Sequence, residues 1–153
     1  MAMVWTSDLN TGIDVIDRQH QRIVDYINQL EDPATRADHQ AISRVLEDLA
    51  DYTLSHFAFE ESLQEEVGYQ YAKPHKAVHD MFIKRLTSYQ HRHDAGEPVV
   101  EQLHAMLCTW LTHHIKRDDM AYVAEVGAKA KQVTEDRKEG GWFSRAMKVF
   151  RKR

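Results

Sequence analysis

Cysteine, proline and glycine are all scarce in this chain. Its 153 residues include one cysteine, three prolines and six glycines. The single cysteine, Cys108, excludes an internal disulfide framework and any zinc or iron–sulfur site that needs several thiolates. A bound metal ion would therefore be held by nitrogen and oxygen atoms.

Long apolar stretches are missing as well. No segment approaches the roughly 20 apolar residues that span a bilayer, and Met1 to Trp5 lack the basic start and apolar run of a secretory signal. The length is that of one ordinary domain. A composition of 42% hydrophobic and 29% charged residues is typical of globular proteins. We therefore expect a cytoplasmic protein.

The net charge of −4 is unevenly distributed. Residues 141–153 carry five basic and no acidic side chains, so residues 1–140 carry a net charge of −9. Such an acidic body argues against nucleic-acid binding.

The basic tail also has an apolar stripe. Its apolar residues recur at helical spacing: Trp142, Phe143, Ala146, Met147 and Phe150. A basic amphipathic helix is typical of segments that bind an anionic membrane surface or an acidic protein partner. Alternatively, the tail folds back on the acidic body of its own or a neighbouring subunit. The oligomeric state stays open at this stage.

Apolar residues recur at helical spacing in four longer segments. The segments run from Ile13 to Asp32-Pro33, from Ile42 to Gly68, from Pro74 to the His91–Gly96 region, and from Glu97-Pro98 toward Gly127. Short connections between amphipathic helices predict an all-α fold, an antiparallel up-down-up-down four-helix bundle. An irregular N-terminal arm would precede it. We expect residues 1–127 to form the bundle and residues 128–153 a C-terminal extension with the amphipathic helix.

Histidine is abundant, with ten residues. His56 and Glu60 are four residues apart, and so are His75 and His79. Residues four apart lie on the same face of an α-helix and can reach one ion. A single pair of this kind is a weak indication, because surface helices contain many.

Two further groups complete the pattern. His20 lies on the first predicted helix, and His114 on the fourth is followed by Asp118 and Asp119. On an ideal helix Asp119 would lie about 140° from His114, so Asp118 fits simple stacking better. Spacing alone does not choose between them. Because every predicted helix carries a potential ligand, the set favours a metal site inside the bundle.

The remaining histidines need no function. They are interpreted as ordinary hydrogen-bonded or surface residues: His39, His91, His93, His104 and His113.

The size of the ligand set indicates two ions. Five imidazoles and two carboxylates exceed the four ligands of zinc and the six of an octahedral ion. Two octahedral ions that share both carboxylates and a solvent-derived bridge would use all these ligands. One coordination position would stay open.

These residues, in this order, resemble the hemerythrin family of non-haem di-iron oxygen-binding proteins. The resemblance covers residues 5 to about 122. It rests on Trp5, Gly12-Ile13, Ile16-Asp17-Arg18-Gln19-His20, His56-Phe57, Glu60-Glu61, Tyr69, His75, His79, Phe82, Trp110-Leu111, His114-Ile115, Asp119 and Tyr122. The length is that of the bacterial single-domain members.

The resemblance implies a left-handed bundle that holds two iron ions. It assigns seven ligands: His75, His79 and His114 on one iron, His20 and His56 on the other, and Glu60 and Asp119 between them. The two carboxylates would bridge the irons together with an oxo or hydroxo group. This pattern selects Asp119 over Asp118.

The implied function is reversible binding of dioxygen, end-on at the iron held by two histidines. Oxygen storage, delivery or sensing would follow, and the protein would not be an enzyme. The alternatives are a di-iron enzyme that removes peroxide or nitric oxide, and an oxygen-responsive signalling protein with a separate partner.

An apolar oxygen pocket is expected around the open iron. By their positions next to the ligands, its residues are Ile23, Phe57, Trp110, Leu111 and Ile115. Gln64 lies one turn beyond Glu60, where the family usually has methionine, and would place an amide near the cavity or its entrance.

Removal of residues 141–153 tests the function of the tail. If the tail binds membranes, the full chain should pellet with anionic liposomes, because its basic residues meet the lipid charge and its apolar stripe enters the interface. The truncated chain should stay in the supernatant. Neutral liposomes are the control, and equal pelleting of the two chains would contradict membrane binding.

Overall fold

The structure, a computed structural model, describes residues 2–139 and is helical apart from the N-terminal arm and short turns. The helices are α1 (Asp14–Gln29), α2 (Pro33–Arg36), α3 (His39–Glu66), α4 (Ala72–Asp94), α5 (Val100–His113) and α6 (Met120–Glu139). A π-helical segment, His114–Asp119, joins α5 to α6 without a break. No strand occurs among residues 2–139.

Four long helices form the bundle: α1, α3, α4, and a fourth that comprises α5, the π-helical segment and α6. α3 packs against both α1 and α4, and α1 packs against α5, while α2 is a single turn that leads into α3. Short connections make consecutive long helices antiparallel. The predicted all-α four-helix bundle is therefore confirmed. None of the described helices is long and apolar enough to cross a bilayer.

The helix ends follow local chemistry. The Asp38 carboxylate accepts a hydrogen bond from the Gln40 backbone N–H at 3.0 Å and caps the start of α3. At the other end, Gly68 has a φ of +74°, and the Tyr69 N–H donates to the Gln64 carbonyl at 2.9 Å. This left-handed glycine closure satisfies carbonyls that the last helical turn leaves free.

The last helix differs from the expectation that it ends toward Gly127. α6 continues through this glycine to Glu139. A glycine inside a helix costs about 1 kcal/mol, which packing on either side can offset. Tyr122, Ala130 and Val133 belong to one apolar cluster with the start of α1 and the end of α3. The expected domain boundary at residue 127 thus falls within α6, and the amphipathic tail lies outside the described residues.

Two apolar clusters fill the bundle. The larger includes Ile27, Leu46, Leu49, Leu86 and Leu103, and the smaller includes Ile13, Ile16, Leu63, Val67 and Tyr122. A layer of buried polar residues separates them: residues 19–20 of α1, residue 60 of α3, residues 75 and 79 of α4 and residue 119 of the π-helical segment. Each long helix therefore crosses from one cluster to the other through a residue that carries polar atoms.

The N-terminal arm is fastened to α1. The Met3 N–H donates to the Asn28 amide oxygen at 2.7 Å, and the Asn28 amide nitrogen donates to the Met3 carbonyl at 2.8 Å. Trp5 packs against the larger cluster, and its ring centroid lies 6.5 Å from that of His20. The arm thus covers the polar layer beside α1.

Two histidines, His39 and His93, form a clamp between the start of α3 and the end of α4. The rings of His39 and His93 stack with centroids 4.0 Å apart and planes 15° apart. Each Nε2–H donates to the other residue's backbone carbonyl, at 3.0 and 3.1 Å. The start of α3 is thereby joined to the end of α4, which agrees with a structural role for both histidines.

Replacement of His93 by alanine should weaken this clamp. Loss of the ring and its hydrogen bond costs about 1–3 kcal/mol, which corresponds to a fall in Tm of roughly 3–10 °C for a chain of this size. Thermal unfolding of the metal-free protein, followed by circular dichroism, measures the change. His91→Ala, on the exposed side of the same turn, is the matched control. Equal melting temperatures for the two variants would contradict the role of the clamp.

Candidate metal centre

The π-helical segment determines which aspartate joins the polar layer. A π-helix bonds residues five apart, so His114 and Asp119 come one above the other there. His114 Nε2 lies 3.3 Å from Asp119 Oδ1, and Nδ1 of the same ring lies 2.9 Å from Asp118 Oδ2. The two aspartates therefore contact opposite sides of one imidazole. Asp119 is fully buried, whereas the Asp118 side chain is 22% exposed.

All seven residues that the sequence and its resemblance single out meet in the bundle interior, each buried: His20, His56, Glu60, His75, His79, His114 and Asp119. Their ligand atoms form two groups, each with its atoms within 4.8 Å of one another. One group contains three histidines with Glu60 and Asp119, and the other contains His20 and His56 with Glu60. The structure thus brings together every proposed ligand, in a three-histidine group and a two-histidine group.

Both carboxylates span the two groups. Glu60 Oε1 lies 2.9 Å from His75 Nε2 and 3.1 Å from His79 Nε2, while Glu60 Oε2 lies 3.9 Å from His56 Nε2. A carboxylate with one oxygen toward each group has the arrangement of a bridging ligand.

Asp119 repeats this arrangement from the opposite helix. Its Oδ1 lies 3.1 Å from His75 Nε2 in the three-histidine group, and its Oδ2 lies 3.1 Å from His20 Nε2 in the two-histidine group. The two groups are therefore joined on both sides by a carboxylate.

Three of the five imidazoles are oriented by an oxygen on their outer nitrogen. The Nδ1–H donors and their acceptors are His56 to Gln19 Oε1 at 2.6 Å, His79 to Glu61 Oε2 at 2.8 Å, and His114 to Asp118 Oδ2 at 2.9 Å. Such bonds fix the tautomer in which the Nε2 lone pair points inward, as in metal-binding histidines.

No role for Gln19 or Glu61 was predicted from the sequence, and Asp118 was considered only as an alternative ligand to Asp119. Gln19 precedes His20, Glu61 follows Glu60, and Asp118 precedes Asp119. A polar residue directly next to a buried ligand is the signal that would have found them.

Positive partners surround the carboxylate of Glu60. Burial raises its pKa, but the adjacent imidazoles of His75 and His79 outweigh burial and hold the pKa well below its usual range. Burial likewise opposes protonation of His75, yet the carboxylates of Asp119 and Glu60, 3.1 and 2.9 Å from its Nε2, raise its pKa to about 10. Because no lysine or arginine of the described chain pairs with these carboxylates, their charge calls for cations within the layer.

His56 has the opposite character. Burial lowers its pKa to about 3, so the imidazole is neutral at neutral pH. Its Nε2 has no hydrogen-bond partner and lies in the buried layer. A neutral imidazole with a free lone pair is the form that binds metal ions.

Several other buried atoms of the layer also lack hydrogen-bond partners among the residues that the structure describes. They are both ring nitrogens of His20 and both carboxylate oxygens of Asp119. The Nε2 atoms of His79 and His114 face each other at 3.1 Å. Buried polar atoms without partners cost stability, and metal ions would satisfy these donors together. Nitrogen and oxygen ligands of this kind suit iron, among other transition metals.

A small cavity of about 10 Å³ adjoins the two-histidine group. This space holds roughly one water-sized molecule. The lining residues are His20, His56, His114, Ile23, Ile27, Thr53, Phe57, Phe82, Leu107, Trp110 and Leu111. His75 and His79 are not among them. The cavity therefore opens onto His20 and His56 rather than onto the α4 histidines.

Four of the expected pocket residues line this cavity, namely Ile23, Phe57, Trp110 and Leu111, and two do not. Ile115 is buried in the larger apolar cluster. On an α-helix it would lie below Leu111, but the π-helical segment begins at His114 and changes the direction of later side chains. Its place around the open iron stays a prediction.

Gln64 does not line the cavity either. The α3 side chains that do are Thr53, His56 and Phe57, and Gln64 lies about 10 Å further along the helix axis than Phe57. It is fully buried at the level of the smaller apolar cluster, and both polar atoms of its side chain lack a hydrogen-bond partner. The Gln64 amide therefore lies on the side of Glu60 that faces away from the cavity.

The fold and its buried ligand layer define a metal-binding four-helix bundle, and comparison with known proteins agrees. Residues 11–126 match the family model described as the hemerythrin HHE cation binding domain. The chain is 51% identical over 148 residues to the bacteriohemerythrin of Pseudomonas aeruginosa (strain UCBPP-PA14), with 97% of each covered. It is 46% identical to that of Stenotrophomonas maltophilia (strain R551-3), with the same coverage.

A solved structure gives the same result. A wild-type hemerythrin superposes with a TM-score of 0.75 at 31% identity, covering 81% of this chain and 97% of that one. The chain belongs to the hemerythrin family. This family binds non-haem iron, and the buried cluster described above is able to hold a metal ion.

Paired substitutions of the two aspartates test the assignment of ligands. Asp119→Asn should remove most bound iron, because it deletes the charge of a carboxylate that spans both groups. Asp118→Asn should keep the site but weaken iron binding by about 10- to 100-fold, since it loosens only the orientation of His114. Iron content after anaerobic reconstitution measures both effects, and circular dichroism confirms folding. An Asp119→Asn variant that retains as much iron as the parent would contradict the assignment.

Proposed function

We propose that the chain holds two iron ions and binds dioxygen reversibly, for oxygen storage, delivery or sensing. One observation carries this proposal: Glu60 and Asp119 each present one oxygen to the three-histidine group and the other to the two-histidine group. His75, His79 and His114 would hold one iron, and His20 and His56 the other.

The difference between the two groups favours ligand binding on one side. Both would share the carboxylates, but the two-histidine group supplies one imidazole fewer. Both His20 and His56 line the small cavity, whereas of the three-histidine group only His114 does. A coordination position left free on the iron held by His20 and His56 would thus lie next to a space of molecular size. Ferrous iron, when bound, supplies the electrons that reversible dioxygen binding requires.

Aromatic residues hold the imidazoles and close the cavity. Phe57 stacks on the His79 ring with centroids 3.8 Å apart and planes 3° apart, and Trp110 stacks on His114 at 4.4 Å and 18°. Both also line the cavity. They therefore restrict rotation of the rings and exclude water and protons from the bound ligand.

The donor set favours a carrier over an oxidising enzyme. Ferritin-like di-iron proteins use about four carboxylates and two histidines, whereas this layer has two carboxylates and five imidazoles. Fewer anionic ligands stabilise the ferrous state and disfavour highly oxidised iron. Support also comes from the relatives, which are named bacteriohemerythrins.

An oxygen cycle tests this function. The protein is loaded with ferrous iron under anaerobic conditions, exposed to air and then returned to anaerobic conditions. A charge-transfer absorption should appear with oxygen and disappear on its removal over several cycles. The Asp119→Asn variant, treated in the same way, is the control and should show little absorption.

Two outcomes would contradict reversible binding. Irreversible oxidation in the first cycle would exclude a carrier. Sustained turnover of added peroxide or nitric oxide would instead favour the di-iron enzyme.

A further inference from the structure

One hydroxyl group lines the otherwise largely apolar cavity. Apart from the three histidines and the indole of Trp110, every lining side chain except Thr53 is a hydrocarbon. Thr53 lies three residues before His56 on α3, so the two side chains share a helix face. The Thr53 side chain is therefore placed beside the two-histidine group.

Among residues 2–139, this hydroxyl has no hydrogen-bond partner. Thr53 is 1% exposed, and its Oγ1 makes no hydrogen bond. A threonine inside a helix commonly bonds the carbonyl one turn earlier, but no such bond is formed here. A buried hydroxyl without a partner lowers stability, and valine would have the same shape without this cost. The position thus carries a polar group that the folded chain itself does not use.

We propose that Thr53 determines the ligand specificity of the cavity by donating a hydrogen bond to its occupant. The site would favour ligands of two or three atoms whose outer atom is a strong hydrogen-bond acceptor. This inference rests on the proposed function, because it concerns the same cavity. One such hydrogen bond should strengthen binding by about three- to tenfold.

The metal-free protein gives a first test that does not depend on iron. Thr53→Val should raise Tm by a few degrees, because it removes an unpartnered hydroxyl. Thr134→Val is the matched control, since the buried Thr134 hydroxyl donates to the Lys131 carbonyl at 2.9 Å. That variant should leave Tm unchanged or lower it. A clear loss of stability in Thr53→Val would show that the hydroxyl has a structural partner, which would overturn the proposal.

The iron-loaded protein gives the second test, with azide and thiocyanate as probes. Both are small linear anions, but the outer atom of a nitrogen-bound thiocyanate is sulfur, a weak acceptor. Titrations followed by absorption should show azide binding weakened about three- to tenfold in Thr53→Val. Thiocyanate binding should change by less than about twofold, and Thr53→Ser should bind azide nearly as the parent does.

The remaining outcomes separate this inference from the proposed function. If Thr53→Val is more stable but binds azide as the parent does, the hydroxyl bonds only an ordered water and the inference is wrong. If the parent binds oxygen reversibly but no azide, the inference fails alone. If the parent and all variants lack an oxygen response, both proposals fail.

Discussion

Two buried carboxylates, Glu60 and Asp119, are the interaction on which the rest of this structure depends. Ionised and removed from water, they require positive charge or hydrogen-bond donors nearby. Histidines on all four long helices meet this need, and each carboxylate reaches both histidine groups. The bundle is thus centred on a charged layer rather than on a continuous apolar core. Helix packing and the candidate metal centre are therefore two aspects of one arrangement.

This layer also explains the division of the interior. One apolar cluster lies on each side of it, so water is kept from the ligand atoms at both ends. On the side of the larger cluster the packing leaves the small cavity beside His20 and His56. On the other side, Tyr122 donates to Glu60 Oε2 at 3.3 Å and holds that carboxylate in place. The two faces of the layer therefore differ: one leaves a cavity beside His20 and His56, and the other holds the Glu60 carboxylate in place.

Much of the site follows from spacing, but parts of it depend on tertiary packing. The pairs His56 with Glu60 and His75 with His79 obey α-helical periodicity, so their shared faces are predictable. Asp119 does not obey it, because a local change to π-helix brings it under His114. The sequence also does not show that Gln64 lies away from the cavity. Its position relative to the cavity depends on which turns of the neighbouring helices pack beside it.

The amino-acid order by itself determined the class of fold, the four long helices and the types of ligand. These features depend on local periodicity, helix-ending glycines and the chemistry of histidine and carboxylate side chains. Tertiary structure alone decided that each carboxylate directs one oxygen to the three-histidine group and the other to the two-histidine group. It also decided that Gln19, Glu61 and Asp118 orient three imidazoles. The position of Thr53 beside the cavity is a third such feature. Those relations join residues on different helices or depend on the course of the backbone, and side-chain contacts of this kind exist only once the helices have packed.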